Sequence, residues 1–261
     1  AKDFSPMYAL IGGSGFTSND VVTDREEIEM TTPYGVPSAP LVFGRLGGTP
    51  IVFLRRHGVN HQFAPHRVPS RANLWALKQA GVEGVIAVAT VGGIAADMRP
   101  GGIALPDQLI DYTWGREATY YDTPEAGVKH VDMTHPFDRT LSAGLAAAAT
   151  RIGRTVRTGG VYAATQGPRL ETAAEVERYR RDGADMIGMT VYPECALARE
   201  LGLAYAPVCV SVNHAAGIGT SNEGIDFEAL KDTVAEAVVS VVDIAKAFVA
   251  FEALKTPAAE R

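Results

Sequence analysis

Small polar and cationic residues stand at the ends of five apolar runs in this sequence: Ser14, Arg56 with His57, Thr90, Thr190 and Asn213. A guanidinium group can bind an oxyanion through two parallel N–H···O hydrogen bonds, and hydroxyl and amide groups can donate to the other oxygens of the anion. Each of these residue types is also common in a simple turn. Five such ends around one sheet edge are better explained by a single polar pocket that holds an anion.

The apolar runs have the pattern of buried strands. Residues 85–91 and 204–212 are uncharged and rich in β-branched side chains, which is typical of parallel strands buried on both faces. In open α/β sheets, ligands bind beyond the carboxyl ends of the strands. Further strands are predicted at residues 7–11, 41–43, 50–54, 101–111, 159–164 and 185–188. The sequence therefore predicts a mostly parallel central sheet.

Helical patterns alternate with these strands. A helix at 70–79 is predicted to be capped by Ser70, and Pro193 suits the first turn of a helix that ends near residue 200. Glu194 beside it favours the positive end of that helix. Other helices are predicted at 141–152, 173–181 and 227–248. The polar, aromatic loop 112–122 is long for a simple connection and indicates an interface or a substrate lid.

The composition favours one enzyme-sized domain over residues 1–261, with loose ends at 1–6 and 256–261. The chain is 46% hydrophobic, enough for a sizeable core, and its net charge is −6 without a basic block. Nucleic acid and anionic membranes are therefore not expected partners. No apolar run is long enough to span a bilayer. Cys195 and Cys209 form no metal or disulfide framework, which fits a reducing cytosol and a cytoplasmic protein.

Two other ligand classes are considered and not favoured. The glycine turn at 12–15 lacks the dinucleotide fingerprint, since Ser18 stands where the third glycine belongs. His57, His61 and His66 raise the question of a metal, but no carboxylate or cysteine completes the set, so no metal is expected.

Motifs in a consistent order along nearly the whole chain resemble the trimeric purine nucleoside phosphorylase and methylthioadenosine phosphorylase family: I-G-G-S-G-F (11–16), T-P-Y-G-x-P-S-A-P (32–40), R-H-G (56–58), R-A-N-x-W-A-L-K (71–78), P-D-Q-L-I-D (106–111), G-P-R-L-E-T (167–172) and M-T-x-x-P-E (189–194). The resemblance implies a phosphorylase/hydrolase-like α/β fold, with a central mixed β-sheet flanked by helices, and a homotrimer. It also implies phosphorolysis of a purine nucleoside, with inorganic phosphate as co-substrate and no metal or organic cofactor.

The resemblance assigns roles by position. The phosphate would be held by Ser14, Arg56, His57, the backbone of Ala89, Thr90 and Thr190. Met189 would pack under the ribose, His61 would lie near the sugar, and His130 would reach into the site of a neighbouring subunit. Leu170 and Ala215 would lie against the base. Asn213, His57 and Arg56 would carry the catalysis.

Glu171 and Asn213 stand at the positions that would recognise the base. A 6-oxopurine bears a proton on N1 and an acceptor at O6, so a carboxylate can accept from N1–H and an amide can face both O6 and N7. Adenine has a bare acceptor at N1, which would face the charge of Glu171 without a proton between them. A buried site built for one pattern can reject the other by up to roughly 10⁴-fold. The pair therefore favours hypoxanthine-type bases.

The 5′ substituent of the sugar is predicted from the segment before the last helix. Ile225 and Phe227 can line an apolar methylthio pocket, whereas Asp226 suits either a substrate contact or a helix N-cap. We therefore expect S-methyl-5′-thioinosine and phosphate to give hypoxanthine and S-methyl-5-thioribose 1-phosphate. A general inosine/guanosine phosphorylase, a methylthioadenosine phosphorylase, a nucleosidase that uses water and a nucleoside-binding module without activity remain the alternatives.

Overall fold

A computed structural model describes residues 7–16 and 20–255 of the chain. The predicted loose ends at 1–6 and 256–261, and Ser18 of the glycine turn, lie outside these residues. Eleven strands are described: β1 (Tyr8–Gly12), β2 (Thr23–Ile28), β3 (Leu41–Leu46), β4 (Thr49–Arg55), β5 (Gly84–Gly93), β6 (Ile103–Leu105), β7 (Gln108–Asp111), β8 (Arg157–Thr158), β9 (Val161–Ala164), β10 (Met186–Gly188) and β11 (Ala204–His214). Five α-helices accompany them: α1 (Ser70–Gln79), α2 (Arg139–Arg151), α3 (Ala173–Arg181), α4 (Val191–Glu200) and α5 (Phe227–Lys255).

The strands form one mixed sheet in which β5 is the central member. β5 pairs parallel with β1 over its first half and parallel with β11 along nearly its whole length. Near its end, at Gly92 and Gly93, it pairs antiparallel with β10. The main path runs β2-β3-β4-β1-β5-β10-β9-β7. The fold class expected from the sequence, a central mixed sheet flanked by helices, is confirmed.

Helices cover both faces of this sheet because alternate residues of the strands point to opposite sides. On one side Ile11 and Val85 belong to a buried cluster with Leu74 of α1 and Leu197 of α4. On the other side Leu10 and Ile86 of the same strands join a second cluster with Leu145 of α2 and Phe248 of α5. Among residues 7–16 and 20–255, no helix combines the length and apolarity needed to cross a bilayer.

Three local expectations need correction. Strand β2 was not predicted, because all six of its residues are exposed and it lies at the edge of the sheet, so it shows no apolar alternation. The run 101–111 is two strands, since β6 pairs with β11 whereas β7 pairs with β9. Ser70 lies inside α1 and does not cap it; its hydroxyl instead lies 3.5 Å from the carbonyl of Val68.

Candidate active site

A cavity of about 960 Å³ lies where the polar ends of these strands meet. Thirteen of the residues predicted to form the site line it: Ser14, Arg56, His57, His61, Thr90, Leu170, Glu171, Met189, Thr190, Asn213, Ala215, Ile225 and Phe227. The lining also includes residues that the sequence did not single out, among them Phe63, Pro65, Ile187 and Leu230. Ends of β1, β4, β5, β10 and β11 thus contribute to one pocket.

Arg56 is held at the floor of this cavity by a buried carboxylate. Its Nε donates to Glu194 Oε1 at 2.6 Å and its Nη2 donates to Glu194 Oε2 at 3.0 Å, while Nη1 donates to the Val88 carbonyl at 2.6 Å. Burial alone lowers the pKa of Arg56, but the charge and hydrogen bonds of Glu194 more than offset this and raise it. The guanidinium has five N–H groups, so two remain for a ligand.

Two neighbours complete this arrangement. The Tyr205 hydroxyl donates to Glu194 Oε2 at 2.6 Å. Burial and the charge of Glu194 raise the pKa of Tyr205 well above its ordinary value, so this hydroxyl stays a donor. Gly13 leaves room for the guanidinium, since a Cβ there would lie 2.7 Å from Arg56 Nη1. The absence of a side chain at Gly13 therefore leaves space for the arginine.

Glu194 was interpreted from the sequence as a favourable charge at a helix start. The structure gives it a different role: its side chain is fully buried and forms an ion pair with Arg56, a residue 138 positions earlier in the chain. The sequence carried two signals: a carboxylate within an otherwise apolar stretch, and the place of Glu194 as the last residue of the motif M-T-x-x-P-E.

The imidazole of His57 is neutral near pH 7 because of its surroundings. Burial, together with the neighbouring positive charge of Arg56, lowers the pKa of His57 to about 4. Its Nδ1 lies 2.9 Å from the Phe63 carbonyl, which can only accept, so Nδ1 carries the proton. The other nitrogen, Nε2, is then an acceptor. The His61 ring stacks on that of His57 with centroids 4.6 Å apart.

Among the described residues, two hydrogen-bonding groups of the Asn213 side chain have no partner. The residue is only 5% exposed and lines the cavity. One N–H of its amide donates to the His214 carbonyl at 2.6 Å. An Asn side chain has two N–H donors and one carbonyl acceptor, so one donor and the Oδ1 acceptor remain.

Glu171 is not required for capping the helix that follows it. Thr172 is the N-cap of α3, and Glu175 completes the capping box. The Thr172 hydroxyl accepts from the Glu175 N–H at 3.1 Å, and Glu175 Oε2 accepts from the Thr172 N–H at 2.7 Å. Because these two residues satisfy the helix start, the carboxylate of Glu171 is available to the cavity that it lines.

Arg116, which the sequence analysis did not identify, fastens the loop 112–122 beneath the site. Its guanidinium donates to the carbonyls of Met189, Tyr192, Thr165 and Gln166 at 2.7–3.1 Å. The backbone at Met189 and Tyr192 is thereby joined to the loop. The interpretation of this loop as an interface or lid remains a prediction, but the structure gives its first part a positioning role.

Another part of the lining comes from α5 and the segment before it, which together form the α5 wall. Its side chains are mainly apolar and include Ile225, Phe227, Leu230, Val234 and Val238, with Lys231 beside them. The carboxylate of Asp226 accepts from the N–H of Ala229 at 3.0 Å, as the N-cap of a helix does. Asp226 is not part of the lining, so the structure gives it the capping alternative.

Two other predicted residues lie outside the lining. Ala89 is 1% exposed, and its neighbour Thr90 reaches the cavity instead. His130 is exposed on the surface of the chain.

Both cysteine thiols are buried, as their positions in a helix and a strand suggested. Burial raises the pKa of Cys195 to about 12 and also raises that of Cys209. Within the described ranges, no group of three or more His, Cys, Asp or Glu side chains could hold a metal ion.

Comparison with known proteins gives consistent results. Residues 7–250 match the family model described as the phosphorylase superfamily. A probable S-methyl-5′-thioinosine phosphorylase of Pseudomonas syringae pv. tomato is 47% identical over 215 residues, which cover 82% of this chain and 87% of that protein. The 6-oxopurine nucleoside phosphorylase of Pyrococcus furiosus is 42% identical over 218 residues, covering 82% and 81% respectively. Methylthioadenosine phosphorylase from Schistosoma mansoni, solved in complex with adenine, superposes with a TM-score of 0.89 at 30% identity and covers 96% of this chain and 93% of its own.

Proposed function

Because the chain belongs to the phosphorylase superfamily, we propose that it cleaves 6-oxopurine nucleosides with inorganic phosphate. S-methyl-5′-thioinosine is the preferred substrate, and hypoxanthine and S-methyl-5-thioribose 1-phosphate are the products. The observation that carries this proposal is the shared cavity of Arg56, Glu171 and Asn213, which combines an anion site with a donor-and-acceptor pair suited to hypoxanthine.

Phosphate binds at the floor of the cavity. The free N–H groups of Arg56 and the hydroxyls of Ser14, Thr90 and Thr190 donate to its oxygens. Since His57 is neutral and Nε2 is an acceptor, it receives a hydrogen bond from the O–H of monohydrogen phosphate. The anion then lies below the anomeric carbon and stabilises the positive charge that develops there.

The reaction exchanges one bond at the anomeric carbon for another. A phosphate oxygen forms a bond to C1′ as the bond from C1′ to N9 breaks, and the electron pair passes into the purine. N7 takes up a proton from solvent, Asn213 Oδ1 accepts from that N7–H, and the free N–H of Asn213 donates to O6. Catalysis is chiefly positioning and electrostatics, so the proposal includes no metal or organic cofactor.

Glu171 recognises the base and α5 recognises the sugar substituent. The carboxylate accepts from N1–H of a 6-oxopurine, a proton that adenine lacks. The apolar side chains of Phe227, Leu230 and Val234 suit a methylthio group better than a hydroxyl, because they offer no hydrogen bond to replace the one lost to water.

The proposal includes the homotrimer implied by the resemblance, with His130 of a neighbouring subunit completing the site. The segment is accessible to a neighbouring subunit, because Val128 is 81% exposed and His130, two residues further on, is exposed as well.

A panel of four nucleosides tests this function: inosine, adenosine and their 5′-methylthio counterparts, each with and without phosphate. We expect turnover only with phosphate, the highest kcat/KM for methylthioinosine and the lowest values for the two 6-amino compounds. Equal cleavage without phosphate would indicate a nucleosidase. A preference for methylthioadenosine, the substrate named for the structural relative, would mean that the assignment of Glu171 and Asn213 is wrong.

A further inference from the structure

The buried hydroxyl of Thr165, which lies outside the cavity, contacts the carboxylate of Glu171, the residue proposed to bind the purine base. Thr165 Oγ1 donates to Glu171 Oε1 at 2.6 Å. Thr165 is 5% exposed and is not part of the cavity lining, whereas Glu171 is. Thr165 therefore acts on a ligand only through Glu171.

The backbone of Thr165 is fixed on both sides. Its N–H donates to the Gly188 carbonyl at 2.9 Å, and its own carbonyl accepts from Arg116 Nη2 at 3.1 Å. The hydroxyl also lies 3.4 Å from the Gly188 carbonyl, but it has a single proton. A short bond to a carboxylate is stronger than a long one to a neutral carbonyl, so the proton is donated to Glu171.

The two carboxylate oxygens of Glu171 differ in their hydrogen bonding. Oε1 is held by Thr165, and within the part of the chain that the structure describes, Oε2 makes no hydrogen bond. Thr172 and Glu175 form the capping box of α3, and among the described residues no helix N–H donates to the Glu171 carboxylate. One oxygen is anchored and the other is left for a ligand.

We propose that Thr165 is a positioning residue that sets base selectivity by holding the Glu171 carboxylate toward N1–H of a 6-oxopurine. This inference rests on the proposed function, in which Glu171 reads the base. Without the hydroxyl, the Glu171 side chain can leave this rotamer, and the preference for the N1–H donor falls.

The test compares two variants that differ by one group. Thr165→Val replaces the hydroxyl by a methyl group of similar size, and Thr165→Ser retains the hydroxyl. For Thr165→Val we expect kcat/KM for methylthioinosine to fall about 10-fold or more. The reason is that the hydrogen bond from N1–H to Glu171 is weakened in the transition state. The KM for phosphate should stay within about twofold of wild type, and Thr165→Ser should recover most of the loss.

A double-mutant cycle with Glu171→Ala separates positioning from general damage. If Thr165 acts through Glu171, Thr165→Val adds little in the Glu171→Ala background. Equal losses in both backgrounds, an equal loss in Thr165→Ser, or unchanged selectivity in Thr165→Val would overturn the role of Thr165 alone. A wild-type enzyme without preference for 6-oxopurines would instead refute the proposed function, and the role of Thr165 with it.

Discussion

The Arg56 guanidinium and the Glu194 carboxylate form a fully buried, bidentate ion pair at the floor of the cavity, with side chains 1% and 0% exposed. Such a pair stabilises a protein little over an apolar alternative, but breaking it leaves an uncompensated charge. Because the pair lies at the candidate phosphate site, we infer that Glu194 fixes the orientation of the Arg56 guanidinium, whose remaining N–H groups can then bind phosphate.

Replacing this carboxylate tests that role. Glu194→Gln should lower the free energy of unfolding in phosphate-free buffer by about 3 kcal/mol, because Arg56 keeps its charge without a counter-ion. Phosphate should then raise the melting temperature of the variant more than that of wild type, since the anion supplies the missing charge. Tyr205→Phe removes only a hydrogen bond to Glu194 and is the matched control. An equal shift in all three proteins would mean that phosphate does not replace the missing charge of Glu194 beside Arg56.

The low pKa of His57 predicts how stability depends on pH. Well above pH 6.5, His57 is neutral in both the folded and the unfolded chain, so it does not change the stability with pH. As the pH falls from 6.5 to about 4, the unfolded chain binds the proton first, and stability falls by up to about 3 kcal/mol. Urea unfolding across this range should show a shallower loss for His57→Gln than for wild type. Parallel curves would contradict the neutral, buried state of His57.

Exchange of Glu171 and Asn213, the two residues proposed to recognise the base, should change the preferred purine. In the double variant Asn213→Asp with Glu171→Ser, a carboxylate replaces the amide and the charge opposite N1 is removed. We expect the ratio of kcat/KM for methylthioinosine over methylthioadenosine to fall by at least about 100-fold. Single variants measured alongside show which group dominates. An unchanged ratio would refute the assignment.

The α5 wall should decide between a methylthio and a hydroxyl group. Val234→Asn places an amide in the cavity and should reduce the preference for methylthioinosine over inosine about 10-fold, since the apolar contact is lost. Val239→Asn is the control: Val239 is on the same helix, 58% exposed, and outside the lining. Similar effects of both substitutions would exclude a 5′ pocket at this wall.

The homotrimer can be tested together with the role of His130. Light scattering should give about three times the 27.7 kDa chain mass for wild type and for His130→Ala. Both His130→Ala and Asn213→Ala should lower activity. Co-assembled mixtures of the two variants should regain part of it, because some sites then combine an intact Asn213 with an intact His130 from a neighbour. A monomer, or mixtures without any gain, would count against a shared site.

Much of the candidate site follows from sequence patterns alone. Ser14, Arg56, Thr90, Thr190 and Asn213 each follow an apolar run, and all five line one cavity. Four of them could be grouped because the carboxyl ends of parallel strands converge at a common edge of the sheet. Strand β10 runs antiparallel to β5, so its pairing with the end of β5 places Thr190 beside the others. Strand β2, by contrast, carries no apolar pattern and escaped prediction.

The amino-acid sequence by itself determined the α/β class, the main strands and helices and the side chains at the strand ends, because these depend on local periodicity and on turn chemistry. Only the tertiary structure decided which group each of them contacts. Glu194 meets Arg56 across 138 positions of the chain, and Thr165 turns its hydroxyl toward Glu171 while Thr172 caps the helix. Such pairings depend on how strands and helices pack around a shared cavity, and no local pattern of residues encodes that distance.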